Sequence, residues 1–265
     1  MCLPPHPHTV GFGSLLSPSS AATTFSAIRD FGVARVRNFA RCFNHPSPRF
    51  FFQNDLVDSP HSKEVSSLDV IFSPGASTLV SIFDVPEEDL PAYYERECRY
   101  YIIRVVVEVL GEVEETSGER SVLEESEALM CCSFLGIDAM QAYAKSGGQL
   151  CVAGSAPDTR NTAEEEEKEE QEEKAEEYLC HPVQTIVRTP DSFPTYCAEV
   201  LPNRYYLKHC YVAASRLGDD VLLNFVEESY LGDESTPLRE LLEQAEWKDF
   251  VHKTPWPTHF PRYCG

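Results

Sequence analysis

The 265-residue sequence lacks several features that would assign it at once to a functional class. It has only 22 Lys and Arg against 43 Asp and Glu, so its formal charge is −21, and an acidic surface of this size would repel a nucleic-acid backbone. No window approaches the roughly 18 uninterrupted apolar residues of a membrane helix. The opening segment MCLPPHPHTV has no charged region followed by an apolar run, and no N-x-[ST] sequon occurs. We therefore expect a cytoplasmic protein that binds neither nucleic acid nor membrane.

The motifs of several enzyme classes are also missing. None of the ten cysteines stands in a C-x-x-C pair, and the nearest approach to a metal cluster, CH at 180–181 with HC at 209–210, fits no usual zinc spacing. Ser14 in GFGSLL lacks the following glycine of a nucleophile elbow. Gly11 and Gly13 lack the third glycine of a dinucleotide site. The sequence favours reduced, buried thiols over a zinc module, and it argues against a triad hydrolase or a nucleotide-binding protein.

What is present is sufficient for one folded domain. Hydrophobic residues make up 42% of the chain and aromatic residues 11%, enough for a sizeable core. The run EEEEKEEQEEKAEE at 164–177 holds ten Glu and two Lys and has no apolar stripe. We therefore predict a disordered acidic insertion over roughly 155–177, with an acidic interaction segment as the alternative. The remaining chain is predicted to form a disordered N-terminus over 1–9, a single domain over 10–250 and an extended C-terminal tail over 251–265.

Hydrophobic patterning places the strands mostly before the helices. The predicted strands are 10–16, which runs into a glycine-containing loop, 33–43, 68–72 paired with 78–83 as a hairpin, 100–110 and 128–135. The segment 44–67 is predicted to be a long surface loop. The predicted helices are 24–31, a short helix capped by Asp84, 203–217, 219–230 and 236–250. This order predicts an α+β fold built around a mixed sheet.

Two short segments could carry chemistry. In the loop FGSLL, Gly13 lets the backbone approach a ligand, and successive backbone N–H groups there could hold a carboxylate, although an ordinary turn at a strand end explains the same residues. Glu97 lies between Arg96 and Arg99, just before the strand with the strongest β character. Because a buried carboxylate is unfavourable, an acid at this position is either salt-bridged or functional.

Taken in chain order, these motifs resemble the gamma-glutamylcyclotransferase-like superfamily, which includes the ChaC-type glutathione-degrading enzymes. The motifs are FGSLL, VRNFARCFN, a hairpin, FDVPEEDL followed by ERECRYY, and, late in the chain, PNRYYL with AASRLG and FVEESYL. The resemblance covers about 10–110 and 180–245. The sequence departs from the family pattern at Phe12, where Tyr is usual, and near Ser81, where many members have Gly. The segments 44–67 and 111–178 are long relative to compact members.

The resemblance implies a mixed sheet or small barrel-like core with peripheral helices, and a cyclotransferase that needs no metal or other cofactor. The implied reaction releases 5-oxoproline from a γ-glutamyl amino acid, a γ-glutamyl amine or glutathione. Glu97 would be the catalytic acid–base group, and Tyr100 or Tyr101 would line the pocket. The residues that would bind the substrate are Phe12, Gly13, Ser14, Leu15 and Leu16. A catalytically degraded member that binds partners through its acidic insertion is the alternative; the preferred substrate and the oligomeric state stay open.

Overall fold

The computed structural model describes residues 7–47, 50, 62–114, 117–133 and 196–256, together with the backbone of 149–151. The predicted acidic insertion, residues 1–6 and the tail beyond 256 lie outside the described residues. The strands β1 to β8 are His8–Gly11, Arg29–Pro46, Glu64–Asp84, Tyr101–Val113, Arg120–Cys132, Gln149–Cys151, Leu201–Pro202 and Ser229–Leu231. The helices α1 to α6 are Pro18–Ala21, Leu90–Arg96, Arg204–Leu217, Asp219–Glu227, Leu238–Glu243 and Ala245–Lys253, and two short 3-10 turns cover Ser14–Leu16 and Glu87–Asp89.

Five of the strands form a closed ring of hydrogen-bonded neighbours. β1 lies between β3, to which it is antiparallel, and β5, to which it is parallel. β4 is antiparallel both to β5 and to β2, and β2 is antiparallel to β3, which completes the ring. The short strands β6, β7 and β8 pair with β4, β3 and β2. The α+β class, the mixed sheet and the peripheral helices are confirmed.

The hairpin predicted within 68–83 is wrong, because β3 runs without reversal for 21 residues. It pairs with β2 on both sides of the Pro-Gly segment, and the register moves from Phe39 opposite Phe72 to Arg37 opposite Ser77. Asn38, at φ +64°, accepts a hydrogen bond of 3.0 Å from the backbone N–H of Gly75, whose φ is +88°. The Pro-Gly segment therefore forms an irregularity between two paired strands rather than a chain reversal.

The first predicted helix, 24–31, is also wrong. A single helical turn occupies Pro18–Ala21, and the side chain of Ser17 caps it by accepting a 3.3 Å hydrogen bond from the backbone N–H of Ser20. Proline is favoured at the first position of a helix, where its missing N–H has no intrahelical acceptor. The Ser-Pro pair therefore begins a helix here instead of only ending the preceding strand.

Two further boundaries differ from the sequence prediction. The predicted loop 44–67 is shorter, since β2 continues to Pro46 and β3 begins at Glu64. Asp84 does not cap a helix: it is the last residue of β3, and its carboxylate lies 2.5 Å from Nδ1 of His8. The segment after it forms a 3-10 turn, and α2 begins only at Leu90.

The C-terminal helices cover part of the sheet. The predicted helix 203–217 is confirmed as α3, with Asn203 as its cap, whereas the segment 236–250 forms two helices, α5 and α6, of which the second continues to Lys253. α3 contacts the 3-10 turn after β1, α4 and α6. In the described part of the chain, no helix is both long and apolar enough to cross a membrane.

Candidate functional site

The predicted substrate-binding loop comes directly after β1 and is held by two buried polar side chains. Ser81 Oγ lies 2.8 Å from the carbonyl oxygen of Leu15 and 3.2 Å from that of Gly11, so the hydroxyl ties both ends of the loop to β3. Arg41, which is fully buried, donates from Nε to the carbonyl oxygen of Phe12 at 3.0 Å. The sequence marked Ser81 only as a departure from the family pattern; its side chain fixes the loop backbone.

Only part of this loop is available to a ligand. The side chains of Phe12, Leu15 and Leu16 are 5%, 4% and 0% exposed and belong to the hydrophobic core. Ser14 is half-buried. The backbone N–H groups of Gly13, Ser14 and Leu15 donate to no acceptor within the described ranges. The loop therefore offers three successive backbone donors and one hydroxyl, an arrangement suited to an anion.

Helix α3 packs directly behind the loop. A Cβ atom at Gly13 would collide with the hydroxyl of Tyr206, so only glycine fits at this position without a shift of the neighbouring ring. Nε2 of His209 lies 3.2 Å from the carbonyl oxygen of Ser14. Because a carbonyl oxygen can only accept a hydrogen bond, Nε2 must carry the proton that is donated. The late PNRYYL motif therefore meets the early FGSLL motif in the folded chain, although the sequence assigned His209 no role at the loop.

Arg96, the last residue of α2, links the loop to the predicted catalytic acid. Its side chain is 3% exposed, and its Nε donates to Glu97 Oε1 at 3.0 Å. Its Nη2 donates to Ser14 Oγ at 2.9 Å. The other contacts of the guanidinium are to the carbonyl oxygen and hydroxyl of Ser20 and the hydroxyl of Thr24, at 3.1, 3.2 and 2.7 Å. One guanidinium thus connects the carboxylate to the loop, with its five N–H donors engaged.

Glu97 itself is largely enclosed. Its side chain is 12% exposed. Besides the ion pair with Arg96, Oε2 lies 3.8 Å from Sγ of Cys131, a buried thiol on β5. Burial raises the pKa of the Cys131 thiol well above its usual value, and Glu97 raises it further, so this thiol stays protonated. Glu97 therefore sits between a cation and a neutral thiol, next to the loop that the sequence singled out.

The neighbouring residues that the sequence named have structural contacts. Nη1 of Arg99 donates to the carbonyl oxygen of Pro46 at 2.7 Å. The hydroxyl of Tyr100 donates to the carbonyl oxygen of Leu68 at 2.7 Å, and its ring stacks on His45 with 4.3 Å between the ring centroids. Tyr101 is half-buried at the start of β4. The placement of Tyr100 or Tyr101 along the pocket stays a prediction.

Asp69 is a buried acid that the sequence analysis did not identify. It is 0% exposed, and Oδ1 accepts hydrogen bonds of 2.7 Å from the backbone N–H groups of Val70 and Ser133. Oδ2 has no hydrogen-bond partner among the residues described. Burial raises the pKa of Asp69 to about 8, although hydrogen bonds from Ser133 and Val70 oppose the shift, so the carboxyl is mostly protonated at pH 7. A single Asp within the apolar strand LDVIF was the available signal in the sequence.

Across the described ranges, no group of three or more His, Cys, Asp and Glu side chains is placed to hold a metal ion. The cysteines whose side chains are described are free thiols: Cys42, Cys98, Cys131, Cys132, Cys197 and Cys210. Around Glu97 and the loop, the described residues supply a carboxylate, a hydroxyl, a thiol and backbone N–H groups.

No protein-family model matches the sequence, and no curated protein matches it. Among solved structures, one similar chain is a gamma-glutamyl cyclotransferase with 13% identity and a TM-score of 0.36, over 63% of this chain and 99% of the other. A gamma-glutamyl cyclotransferase specific to glutathione, from yeast, has 14% identity and a TM-score of 0.35, over 82% of this chain and 99% of the other. An uncharacterized protein from Homo sapiens has 12% identity and a TM-score of 0.35, over 62% and 96%.

Proposed function

We propose that this chain is a gamma-glutamyl cyclotransferase that converts a γ-glutamyl amide into 5-oxoproline and a free amine. The observation that carries the proposal is the position of Arg96, whose guanidinium contacts both Glu97 and Ser14. Ser14 and Glu97 are 83 positions apart in the sequence. The Arg96 side chain thereby joins a potential anion-binding loop to a potential proton acceptor.

In this proposal the loop binds the α-carboxylate of the glutamyl group. The donors are the hydroxyl of Ser14 and the backbone N–H groups of Gly13, Ser14 and Leu15, which donate to no acceptor among the described residues. The five N–H donors of Arg96 are already engaged, so the guanidinium positions the Ser14 hydroxyl rather than contacting the carboxylate itself. Fixing the carboxylate fixes the adjacent α-amine relative to the γ-carbonyl.

The reaction is an intramolecular substitution. The α-amine nitrogen bonds to the carbonyl carbon of the γ-glutamyl amide, the C–N bond of that amide breaks, and the departing nitrogen takes up one proton while the attacking nitrogen loses one. Holding the two reacting atoms in contact is worth up to roughly 7–11 kcal/mol in favourable intramolecular reactions. Glu97 accepts the proton from the attacking amine and delivers it to the departing amine, a role that typically contributes about 10²–10⁴-fold in rate.

The test is to measure the release of 5-oxoproline from glutathione and from γ-glutamyl-alanine by the wild-type chain and by Glu97→Gln. Gln keeps an oxygen that can accept from Arg96, so the fold should persist while kcat falls by at least about 100-fold. The exposed Glu95 provides a matched control, since Glu95→Gln removes the same charge two residues away and should leave kcat unchanged.

Undiminished turnover by Glu97→Gln would contradict the assignment of this acid. A wild-type chain that releases 5-oxoproline from neither substrate would contradict the enzyme proposal as a whole, and would favour the alternative of a degraded member that acts as a binding protein.

A further inference from the structure

The phenol of Tyr93 is a buried polar group that no residue in the described part of the chain hydrogen-bonds. Its side chain is 0% exposed, and its hydroxyl has no hydrogen-bond partner among the described residues. Tyr100, a half-buried tyrosine seven residues further on, donates from its hydroxyl to a backbone carbonyl oxygen at 2.7 Å. Because most buried hydroxyl groups in folded proteins are hydrogen-bonded, an unused phenol at this position requires an explanation.

Tyr93 lies beside the predicted catalytic acid. It is in α2, four residues before Glu97, and the backbone N–H of Glu97 donates to the carbonyl oxygen of Tyr93 at 3.0 Å. Residues four apart lie on the same face of a helix, so the two side chains leave the end of α2 on the same side. The Tyr93 ring packs against Phe25, with 6.2 Å between the ring centroids. The ring is thus held in the core beside the helix end at which Glu97 lies.

The phenol remains a hydrogen-bond donor throughout the neutral pH range. Burial raises the pKa of Tyr93 well above its usual value, and Cys131 and Glu97, which come next in size, raise it further. These contributions also place Tyr93 in the electrostatic neighbourhood of the Glu97 carboxylate and the Cys131 thiol that contacts it.

We propose that the Tyr93 hydroxyl donates a hydrogen bond to the γ-carbonyl oxygen of the bound γ-glutamyl substrate, and stabilises the negative charge that this oxygen gains when the α-amine attacks. The inference rests on the proposed cyclotransferase function. No proton is transferred from the phenol; the charge returns from oxygen to carbon when the amide C–N bond breaks. Such a donor acts most strongly in an enclosed site, where no water competes for the oxygen.

A catalytic role of the Tyr93 hydroxyl can be distinguished from a structural one because this hydroxyl bonds to none of the residues that the structure describes. Removing an unsatisfied buried hydroxyl is neutral or stabilising for a fold, whereas removing one oxyanion donor lowers kcat by about 10²–10³-fold. We therefore expect Tyr93→Phe to keep or slightly raise Tm and to lower kcat about 100-fold, with KM nearly unchanged. Tyr94→Phe, which makes the same change on the adjacent residue, is the control for activity and should keep the wild-type kcat.

The experiment measures kcat and KM for 5-oxoproline release from glutathione and γ-glutamyl-alanine, and Tm by calorimetry, in Tyr93→Phe, Tyr94→Phe, Glu97→Gln and wild type. A Tyr93→Phe variant with wild-type kcat, with a raised KM alone, or with a lower Tm that accounts for its lost activity would overturn the role of Tyr93. If Glu97→Gln is inactive in that same experiment, the proposed function survives. An inactive wild-type chain would overturn both.

Discussion

The described part of the chain holds two kinds of buried polar residue. Arg96 is almost completely enclosed and has an acceptor for each of its N–H donors, so its burial is compensated. Asp69 and Tyr93 each keep one buried oxygen atom that no described residue satisfies. Groups of the second kind have unused hydrogen-bonding capacity and are therefore the more informative about ligands and about pH dependence.

Asp69 should make the stability of the fold depend on pH. Its pKa is about 8 in the folded chain, mainly because of burial, against about 3.9 when unfolded. Between these values the folded state holds one proton more than the unfolded state, so the free energy of unfolding decreases as pH rises, by at most about 1.4 kcal/mol per pH unit. Asp69→Asn removes this titratable group and keeps an oxygen that can accept from the two backbone N–H groups. We expect the variant to gain stability relative to wild type from pH 5 to pH 8, measured by denaturant unfolding.

Asp233 provides the matched control for this measurement. Partial burial would raise its pKa, but hydrogen bonds from Thr236 outweigh that effect and lower the pKa. Its carboxylate is thus ionised in both the folded and the unfolded state above about pH 5. Asp233→Asn should shift the stability by a constant amount over the same pH range. Parallel curves for Asp69→Asn and wild type would show that Asp69 is ionised in the fold.

At the residue scale, the sequence identified charged and flexible positions better than their partners. Glu97 is identifiable as an acid directly before the strand of strongest β character, and the FGSLL loop as a glycine-containing segment after an apolar strand. Arg96 was noticed only as a flanking charge, since its contacts with Ser14, Ser20 and Thr24 depend on where α2 lies relative to the loop. No local pattern contains that information, so tertiary structure was needed to find the link.

At the scale of elements, the loop and α3 meet at one very close contact. A Cβ atom on residue 13 would collide with the Tyr206 hydroxyl, and the ring of Tyr206 is itself buried. Gly13→Ala should therefore destabilise the fold by about 1–3 kcal/mol through overpacking. Removing the opposing hydroxyl with Tyr206→Phe should restore much of that loss in the double variant.

A double-mutant cycle on unfolding free energies tests this contact. Tyr206→Phe alone should lower the stability by about 1 kcal/mol, because the hydroxyl is hydrogen-bonded to Cys210. Favourable coupling between the two substitutions is the expected result. Strictly additive effects would mean that the added methyl group is accommodated without contact between the loop and α3.

The errors of the sequence prediction at this scale share one cause. Ser-Pro and Pro-Gly pairs indicate interruptions, but they do not determine which element comes next. At Ser17-Pro18 the interruption begins a helix, and at Pro74-Gly75 it is bridged by the neighbouring strand through Asn38. In contrast, 203–217 carried both a cap residue and an apolar face, and it was predicted as observed. Local sequence signals are sufficient to predict an element that is stabilised by its own residues. They fail where pairing with a distant strand determines the structure.

At the scale of the whole molecule, the charge of −21 should weaken the fold through self-repulsion. Salt screens such repulsion, with a Debye length of about 10 Å at 0.1 M. We expect Tm to rise by a few degrees when NaCl is increased from about 0.05 M to about 0.5 M. KCl at the same concentrations should give the same rise, since the effect is one of screening. A Tm that falls with either salt would indicate that attractive ion pairs dominate.

The fold class could be predicted from the sequence, but the closure of the five-stranded ring could not. The order of strands and helices results from local patterning and indicates an α+β fold. The pairing of Val33–Val36 with Val107–Leu110 joins strands that are more than 70 residues apart, and it is this pairing that closes the ring. Nothing in either strand alone specifies the other as its partner.

The anchoring of the short loop after β1 also has a consequence for the growing chain on the ribosome. Its neighbours include Ser81 on β3 and His209, which lies 195 positions beyond Ser14. A nascent chain holds the loop residues long before it holds that helix. Contacts of such long sequence separation form slowly, so the loop would reach its final shape well after its own residues have been synthesised.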